Sequence, residues 1–258
     1  MKLRNLLRVA ILTSLAAVPA VYLFADDKAV DSAATAAARA DEQGFKPLFD
    51  GKSLQGWEGR EGFWSVQEGT ITGQTKEPFR GPNTFLVYKG GDVSDFELRF
   101  QYKINGGNSG VQYRSKFLAD NNSDKLYRVG GYQGDFEAGT TFSGILYDEG
   151  GVAGGRGIMA QRGEKVTYEA DGTKKAEKLP MTSEQLQKAI RPNDWNEYVI
   201  IANGNHITHK INGNTTVEVV DKSGKAPKSG ILALQLHAGP PMTVQFKDIR
   251  IKQLDGSN

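Results

Sequence analysis

The sequence predicts an all-β protein, an antiparallel sandwich or jelly roll, on three observations. Apolar and polar residues alternate over short runs, most clearly in 96–104, and this period of two is typical of strands with one buried face. Turn signals separate these runs, among them the Asn-Gly pairs at 203–204 and 212–213, which favour tight hairpins. The chain of 258 residues also contains 31 glycines, in keeping with an architecture that has many turns.

Around a dozen strands are predicted from this alternation. In the last of them the apolar positions shift from Val244 and Phe246 to Ile249 and Ile251. One extra residue would produce such a shift, so we expect a β-bulge near 247–248. The predicted strands are 63–66, 70–73, 84–88, 96–104, 111–115, 131–137, 144–147, 157–161, 197–202, 206–212, 215–219, 231–238 and 243–254.

One short helix is predicted at 183–190. Thr182 is its expected N-cap, Gln185 follows three residues later as in a capping box, and Pro192 closes the segment. The sequence contains no internal repeat and no sign of a second domain. Residues 45–254 are therefore predicted to form a single jelly-roll domain.

The N-terminal segment has the parts of a secretory signal peptide: a basic start, an apolar run over 9–24 and small residues around its end. We therefore predict a signal peptide at 1–25, an Ala-rich tether at 26–44, and export to the periplasm or the cell exterior. The alternative is an uncleaved membrane anchor, although the apolar run is shorter than the ~20 residues of a typical span. The membrane is a partner only in that case.

Composition excludes several classes of function. The 32 Lys and Arg residues nearly balance the 30 Asp and Glu residues, and the leader holds part of the basic excess. The domain therefore has no basic field to attract nucleic acid, which is not expected as a partner. The chain has no cysteine. This excludes disulfide scaffolds, cysteine-ligated zinc, iron–sulfur clusters and thiol catalysis.

Polar side chains of the kinds that bind or catalyse lie on the non-core faces of three predicted strands. Alternation places them opposite apolar neighbours such as Val111, Tyr132 and Leu236. If the strands belong to one sheet, a single outer surface carries them all. The alternative is an ordinary solvated face. The side chains in question are Gln112, Arg114, Gln133, Asp135, Glu137, Gln235 and His237.

The three histidines have no spacing typical of a zinc site. His209 is in phase with Ile207 and Ile211, so its side chain is expected in the core or in a cleft, whereas His206 beside a turn is expected to be exposed. A site for a divalent cation with oxygen ligands is compatible with the sequence, and no set of ligands is assigned to it. Four carboxylates lie close together in sequence, at positions 135, 137, 148 and 149.

A glycine-rich segment, 150–157, follows Tyr147-Asp148-Glu149. It lacks the strand–loop–helix context and the Lys-Ser/Thr ending of a phosphate loop, so we interpret it as a mobile loop that borders a cleft, with Arg156 at its end. The chain also lacks a nucleophile elbow and the paired carboxylates of laminarinase-like glycosidases.

Several segments together resemble the 3-keto-disaccharide hydrolase family of secreted bacterial domains. The resemblance spans about 45–254 and depends on an ordered set of motifs. These motifs are FKPLFDGKSLQGW (45–57), NSGVQYRS (108–115), GYQGDFEAG (131–139), SGILYDEGG (143–151), DWNEYVIIANGNHITHKINGN (194–214) and GILALQLHAG (230–239).

This resemblance implies a concanavalin A-like, two-sheet jelly roll that acts on a carbohydrate. The implied reaction is cleavage of glycosides that carry a ketone at C3 of the sugar, by removal of the C2 proton, elimination of the aglycone from C1 and hydration. The reaction needs a base that works near neutrality and donors for an enolate oxygen. The alternative is a non-catalytic carbohydrate-binding module of the jelly-roll type.

The matching positions suggest a division of roles. His237 or Asp135 is the expected base, Arg114 and Tyr147 are the expected partners of the oxyanion or the leaving group, and the remaining positions are expected to bind the sugar. On this hypothesis, alanine at Arg114 or Asp135 abolishes turnover without unfolding the protein. The expected sugar ligands are Gln133, Glu149, Gln235 and His209.

Overall fold

The computed structural model describes residues 42–118 and 127–255, which contain seventeen strands and one short helix. The helix, α1, covers Ser183–Lys188. The strands are β1 (Lys46–Pro47), β2 (Trp57–Gly59), β3 (Trp64–Gln67), β4 (Thr70–Thr75), β5 (Thr84–Tyr88), β6 (Phe96–Asn105), β7 (Asn108–Phe117), β8 (Val129–Glu137), β9 (Leu146–Glu149), β10 (Gly157–Ala160), β11 (Glu164–Tyr168), β12 (Lys174–Lys178), β13 (Asn196–Asn203), β14 (His206–Ile211), β15 (Asn214–Asp221), β16 (Ile231–Leu236) and β17 (Met242–Gln253).

The strands form two sheets, which confirms the predicted jelly roll. Sheet A has the order β12-β11-β15-β14-β13-β6-β17-β4-β3, with β1 paired to β17. Sheet B has the order β10-β9-β8-β7-β16-β5-β2. Neighbouring strands are antiparallel except for β11 and β15, which run parallel. The chain crosses between the sheets repeatedly, so the centre of sheet B is built from segments far apart in sequence.

The core lies between the two sheets and is rich in aromatic rings. Tyr102 of sheet A stacks on Phe136 of sheet B with ring centroids 4.0 Å apart, and Phe100 stacks on Tyr198 at 5.3 Å. All four side chains are almost fully buried. Burial of each such ring is worth roughly 1.5–3 kcal/mol. The contact between Tyr102 and Phe136 joins the inner faces of the two sheets, whereas Phe100 and Tyr198 lie on neighbouring strands of sheet A. The outer faces are left to solvent or ligand.

The turn, bulge and helix signals in the sequence are confirmed. Asn212 and Gly213 have positive φ angles between β14 and β15, as a two-residue hairpin loop with the local twist of a type I′ turn requires. The register of β17 against β6 shifts between Lys247 and Arg250. At α1, the Thr182 side chain accepts from the Gln185 backbone N–H while the Gln185 side chain accepts in return, which is a complete capping box.

Strands β11 and β12 were not predicted. β12 is the edge strand of sheet A, whereas β11 lies between β12 and β15 and has only two buried apolar residues, Val166 and Tyr168. Every residue of β12, Lys174–Lys178, is exposed, so this strand has no buried face and no apolar alternation. Lysine-rich edges of this kind discourage pairing with another chain. A prediction from alternation therefore misses strands whose two faces are both wet.

The predicted signal peptide at 1–25 and most of the predicted tether at 26–44 lie outside the described residues. Within 42–118 and 127–255, no helix is long and apolar enough to cross a membrane. The boundaries of the domain, the cleavage of the leader and export stay predictions.

Candidate functional site

A polar pocket of about 370 Å³ opens on the outer face of sheet B. The neighbouring strands β9, β8, β7 and β16 form its floor, and the connections before β5 and after β8 form part of its walls. Six of the eight sequence-predicted site residues line it. The lining residues are Asn83, Asn108, Gln133, Asp135, Glu137, Phe142, Ile145, Tyr147, Glu149, Ile158, Gln235 and His237.

A chain of side-chain amides runs across the floor of the pocket to Asp135. The Gln112 Nε2 atom donates to Gln133 Oε1 at 2.7 Å, and Gln133 Nε2 donates to Asp135 Oδ1 at 3.0 Å. Gln133 Nε2 also lies 3.4 Å from Gln235 Oε1. All of these side chains are buried. The alternation of strands β7, β8 and β16 therefore brings together on one face the amides that the sequence placed there.

Asp135 is a buried carboxyl group with a raised pKa. Burial disfavours its charged form and is the main cause that raises the pKa to about 8, and the nearby Glu149 and Glu137 carboxylates raise it further. Hydrogen bonds from the Gln133 and Asn108 side chains act in the opposite direction. A carboxyl group that exchanges its proton near neutrality is suited to general acid–base chemistry.

Glu149, Asn83 and His237 form one wall of the pocket. Asn83 Nδ2 donates to Glu149 Oε1 at 3.4 Å, and Asn83 Oδ1 accepts from the Ala238 backbone N–H at 3.0 Å. This asparagine therefore ties β9 to the segment that follows β16. Burial raises the pKa of the Glu149 carboxyl, whereas Asn83 and His237 lower it. The His237 Nδ1 atom contacts the Ala238 carbonyl oxygen, so Nδ1 carries a proton and donates to this oxygen.

Tyr147 and Phe142 supply aromatic surface at the pocket. Burial, followed by the Glu149 carboxylate, raises the pKa of the Tyr147 hydroxyl, so this group stays protonated at neutral pH. Phe142 is 38% exposed, and the Glu137 carboxylate holds its loop by accepting the backbone N–H of Phe142 at 2.9 Å and that of Thr141.

Arg114 does not line this pocket, so its placement on the shared outer surface was wrong. The residue has a φ of +48°, and β7 shifts register against β8 between Tyr113 and Lys116. This bulge turns the Arg114 side chain away from the pocket face, where regular alternation along β7 would have placed it. Its guanidinium group pairs with the Asp95 carboxylate at 2.6 Å and donates to the carbonyl oxygens of Ser94 and Gly204.

His209 does not line the pocket either: it is fully buried in the core between the sheets, apart from the other predicted sugar ligands. Its Nε2 atom lies 2.8 Å from the Tyr113 hydroxyl and its Nδ1 atom lies 3.1 Å from the Tyr198 hydroxyl. Burial lowers the pKa of this imidazole to about 3, so the ring is neutral. The phase with Ile207 and Ile211 therefore indicated its direction correctly, and the side chain serves as a hydrogen-bonded core residue.

Of the four carboxylates that are close in sequence, Asp135, Glu137 and Glu149 line the pocket and Asp148 does not. Asp148 points away from Glu149 and accepts the backbone N–H groups of Ala153 and Arg156, which anchors the glycine-rich segment to β9. Arg156 pairs with Asp221 at 2.6 Å and does not reach the pocket. Among the described residues, no group of three or more His, Cys, Asp or Glu side chains is placed to hold a metal ion.

Two polar residues of the site were not singled out from the sequence. Asn108 begins the motif 108–115, so the quoted motif contained a signal for it. Asn83 lies in the connection between β4 and β5, where no alternation applies. Its place at the pocket depends on the neighbouring segment after β16, to which the isolated bridge between Phe79 and Gly239 also ties it.

Fold and site together define a jelly-roll protein with a polar ligand pocket on the outer face of one sheet. The chain belongs to the family described as the 3-keto-alpha-glucoside-1,2-lyase-like domain, which matches residues 44–252. The resemblance inferred from the motifs is thereby confirmed. No curated protein matches the chain.

Solved structures confirm the fold. A glycosyl hydrolase candidate from Parabacteroides distasonis has a TM-score of 0.51 and 18% identity, over 84% of this chain and 97% of its own. A protein of unknown function with a galectin-like fold from Bacillus subtilis has a TM-score of 0.52 and 11% identity, over 83% and 96%. The laminarinase catalytic domain from Thermotoga maritima has a TM-score of 0.50 and 10% identity, over 82% and 97%.

Proposed function

We propose that the pocket binds glycosides with a ketone at C3 of the sugar and cleaves them by elimination followed by hydration. The observation that carries this proposal is the buried Asp135, whose pKa of about 8 suits a base that works near neutrality, on the floor of a polar pocket. Membership of the 3-keto-alpha-glucoside-1,2-lyase-like family supports the substrate class.

The ketone makes this chemistry feasible with a single base. Asp135 takes the proton from C2, and the C–H electrons form a C2=C3 double bond while the ketone oxygen becomes an enolate. The enolate then re-forms the ketone, a C1=C2 double bond forms, and the bond between C1 and the aglycone oxygen breaks with its electrons on that oxygen. Water adds at C1 and a proton returns to C2, which completes net hydrolysis.

The remaining pocket residues have roles that follow from their donors and acceptors. Tyr147, which stays protonated at neutral pH, donates to the departing aglycone oxygen. Gln133 orients Asp135, and Glu149 accepts hydrogen bonds from sugar hydroxyl groups. His237, whose Nδ1 donates to the Ala238 carbonyl oxygen, is the other candidate base, and the pH dependence below separates it from Asp135.

The first test compares a 3-keto-glycoside with the matching unoxidised glycoside. We expect the purified protein to release the aglycone from the keto form only, because an unoxidised sugar has no acidic C2 hydrogen. Aglycone release is followed chromatographically, with and without a chelator, so that any cation requirement is seen in the same assay. Release from both substrates would indicate a conventional glycosidase. Release from neither, with sugar binding intact by calorimetry, would indicate a binding module.

The pH dependence of kcat/KM identifies the base. Because Asp135 must be ionised to take a proton and its pKa is about 8, kcat/KM should rise with pH along a limb centred near 8. Initial rates between about pH 5.5 and 9.5 measure this limb. His237→Gln should keep the position of the limb. If this variant removes the limb altogether, His237 is the base and the assignment of Asp135 is wrong.

A further inference from the structure

Gln235 carries a buried hydrogen-bond donor that nothing in the described part of the chain uses. The side chain is fully buried, lines the pocket, and its Nε2 atom has no hydrogen-bond partner. An unpaired buried amide nitrogen loses its hydration without compensation and so destabilises the fold. A buried donor of this kind is therefore expected to have a partner outside the chain, either a ligand or an ordered water.

The neighbouring side chains fix which way this amide points. Asp135 accepts from Gln133 Nε2, so the same Gln133 nitrogen faces the Gln235 oxygen. If the Gln235 amide were flipped, two N–H donors would face each other. The oxygen of Gln235 therefore meets Gln133, and its nitrogen is left over as a donor.

Gly110 makes this arrangement sterically possible. It lies in β7, between Asp135 of β8 and the neighbouring β16, and its lack of a side chain leaves room above the sheet. A Cβ atom at Gly110 would lie 2.7 Å from both Cγ and Cδ of Gln133. Gln133 can therefore lie across the glycine and contact Asp135 and Gln235 at once.

The charged groups around the pocket are acidic, so a neutral hydrogen-bond donor is needed to stabilise a negatively charged oxygen there. With Arg114 paired to Asp95 elsewhere, no arginine or lysine of the described residues lines the pocket. The enolate that the proposed reaction forms would otherwise lie near the carboxyl groups of Asp135 and Glu149. A preorganised N–H donor at a developing oxyanion typically raises the rate by about 10²–10³-fold.

We propose that Gln235 Nε2 donates to the C3 ketone oxygen of the substrate and stabilises the enolate that forms there. This assignment depends on the proposed function and adds a catalytic residue to it. Gln133 Nε2 contacts both Asp135 Oδ1 and Gln235 Oε1, which places the base and the donor side by side. C2 and C3 of the sugar are bonded neighbours, so a base at the C2 hydrogen and a donor at the C3 oxygen must also be adjacent.

Two variants remove this donor. Gln235→Met has a similar volume without charge, and Gln235→Glu keeps the acceptor for Gln133 while it replaces the N–H group with an oxygen. Both should lower kcat by about 10²–10³-fold and change KM by less than about threefold, because the hydrogen bond strengthens as the enolate forms. Gln253→Glu, an exposed change at the end of β17, should have no effect. A Gln235→Met variant that folds and keeps kcat within about threefold of wild type would overturn the assignment.

A second readout does not depend on turnover. A 3-keto C-glycoside labelled with ¹³C at C3 cannot lose its aglycone, so its carbonyl resonance can be recorded in the complex. Donation from Gln235 should move this resonance downfield in the wild-type protein, and the displacement should disappear in Gln235→Met. An equal displacement in both proteins would mean that Gln235 holds only water.

The two proposals fail in distinguishable ways. If the wild-type protein releases no aglycone from 3-keto O-glycosides, the proposed function is wrong, and with it the catalytic role of Gln235. The ¹³C resonance then still shows whether Gln235 recognises a ketone. If wild-type turnover is present but Gln235→Met is unaffected, the proposed function stands and only the role of Gln235 is wrong.

Discussion

Asp135→Asn is expected to lower kcat on a 3-keto-glycoside by about 10²–10⁴-fold, the usual contribution of a general base. Asparagine keeps the shape of the side chain and an oxygen that accepts from Gln133, but it cannot take the C2 proton. Single-turnover kinetics at saturating substrate measure the effect. Asp92→Asn, at an exposed position, is the matched control and should keep wild-type kcat.

The same variant should be more stable than the wild-type protein near neutral pH. The pKa of Asp135 rises from 3.8 in an unfolded chain to about 8 in the folded protein, so the folded state keeps a proton that the unfolded state has lost. Wild-type stability from this group is therefore complete below about pH 4 and is lost as pH rises to about 8. The asparagine amide that replaces the carboxyl group does not titrate, so the variant should avoid this loss.

Chemical unfolding between about pH 4 and pH 9 tests this difference. The gain near pH 7 should be about 4 kcal/mol, since pH 7 lies about 3 units above the unfolded pKa and each unit corresponds to about 1.4 kcal/mol. The free energy of unfolding of Asp135→Asn should also vary less with pH than that of the wild type. A variant that keeps turnover, or that is less stable than wild type over the whole range, would contradict this account of Asp135.

Arg114→Ala is expected to destabilise the protein by about 3–5 kcal/mol, the usual effect of removing one partner of a buried ion pair. The Arg114 side chain is 1% exposed, and its loss removes the donor of the Ser94 and Gly204 carbonyl oxygens. Asp95 loses its ion-pair partner and keeps the Gly204 backbone N–H. In a domain of about 200 residues the melting temperature should fall by roughly 10 °C. Thermal unfolding measures the loss, with the exposed Arg80→Ala as control.

The activity of Arg114→Ala decides between the structural role and the role suggested by the motif. Below its melting temperature the folded variant should keep kcat/KM within about threefold of wild type, since Arg114 does not line the pocket. The motif taken by itself predicts the reverse, lost turnover with an intact fold. A variant with wild-type stability and abolished turnover would restore that catalytic assignment.

Local signals in the sequence predicted most of the architecture because the chemistry behind them is local. A residue such as Gly213 adopts a positive φ at low cost wherever it stands, and the Thr182–Gln185 capping box involves neighbours in the chain. Alternation predicted most strands with one buried face. It missed β12, because a fully exposed edge strand has no such pattern, and it missed the short β11, which has only two buried apolar residues.

The candidate site was predicted in part for the same reason. Strand alternation was sufficient to predict that Gln133, Asp135 and Gln235 share one face of a sheet. The motifs that resemble a known family indicated Tyr147 and Glu149 as further site residues. Their roles in binding and catalysis stay proposals. The sequence by itself thus determined the fold class, the family and the group of polar side chains from which the pocket is built.

Only the tertiary structure decided which of those side chains meet. One bulge in β7 turned Arg114 away from the pocket, and a connection between the sheets brought Asn83 to it. The Gln235 side-chain nitrogen likewise has no partner because Gln133, which belongs to another strand, lies across Gly110 and faces the Gln235 oxygen. Such outcomes depend on register and contacts between segments far apart in the chain, whereas alternation describes only the direction of a side chain relative to its own strand.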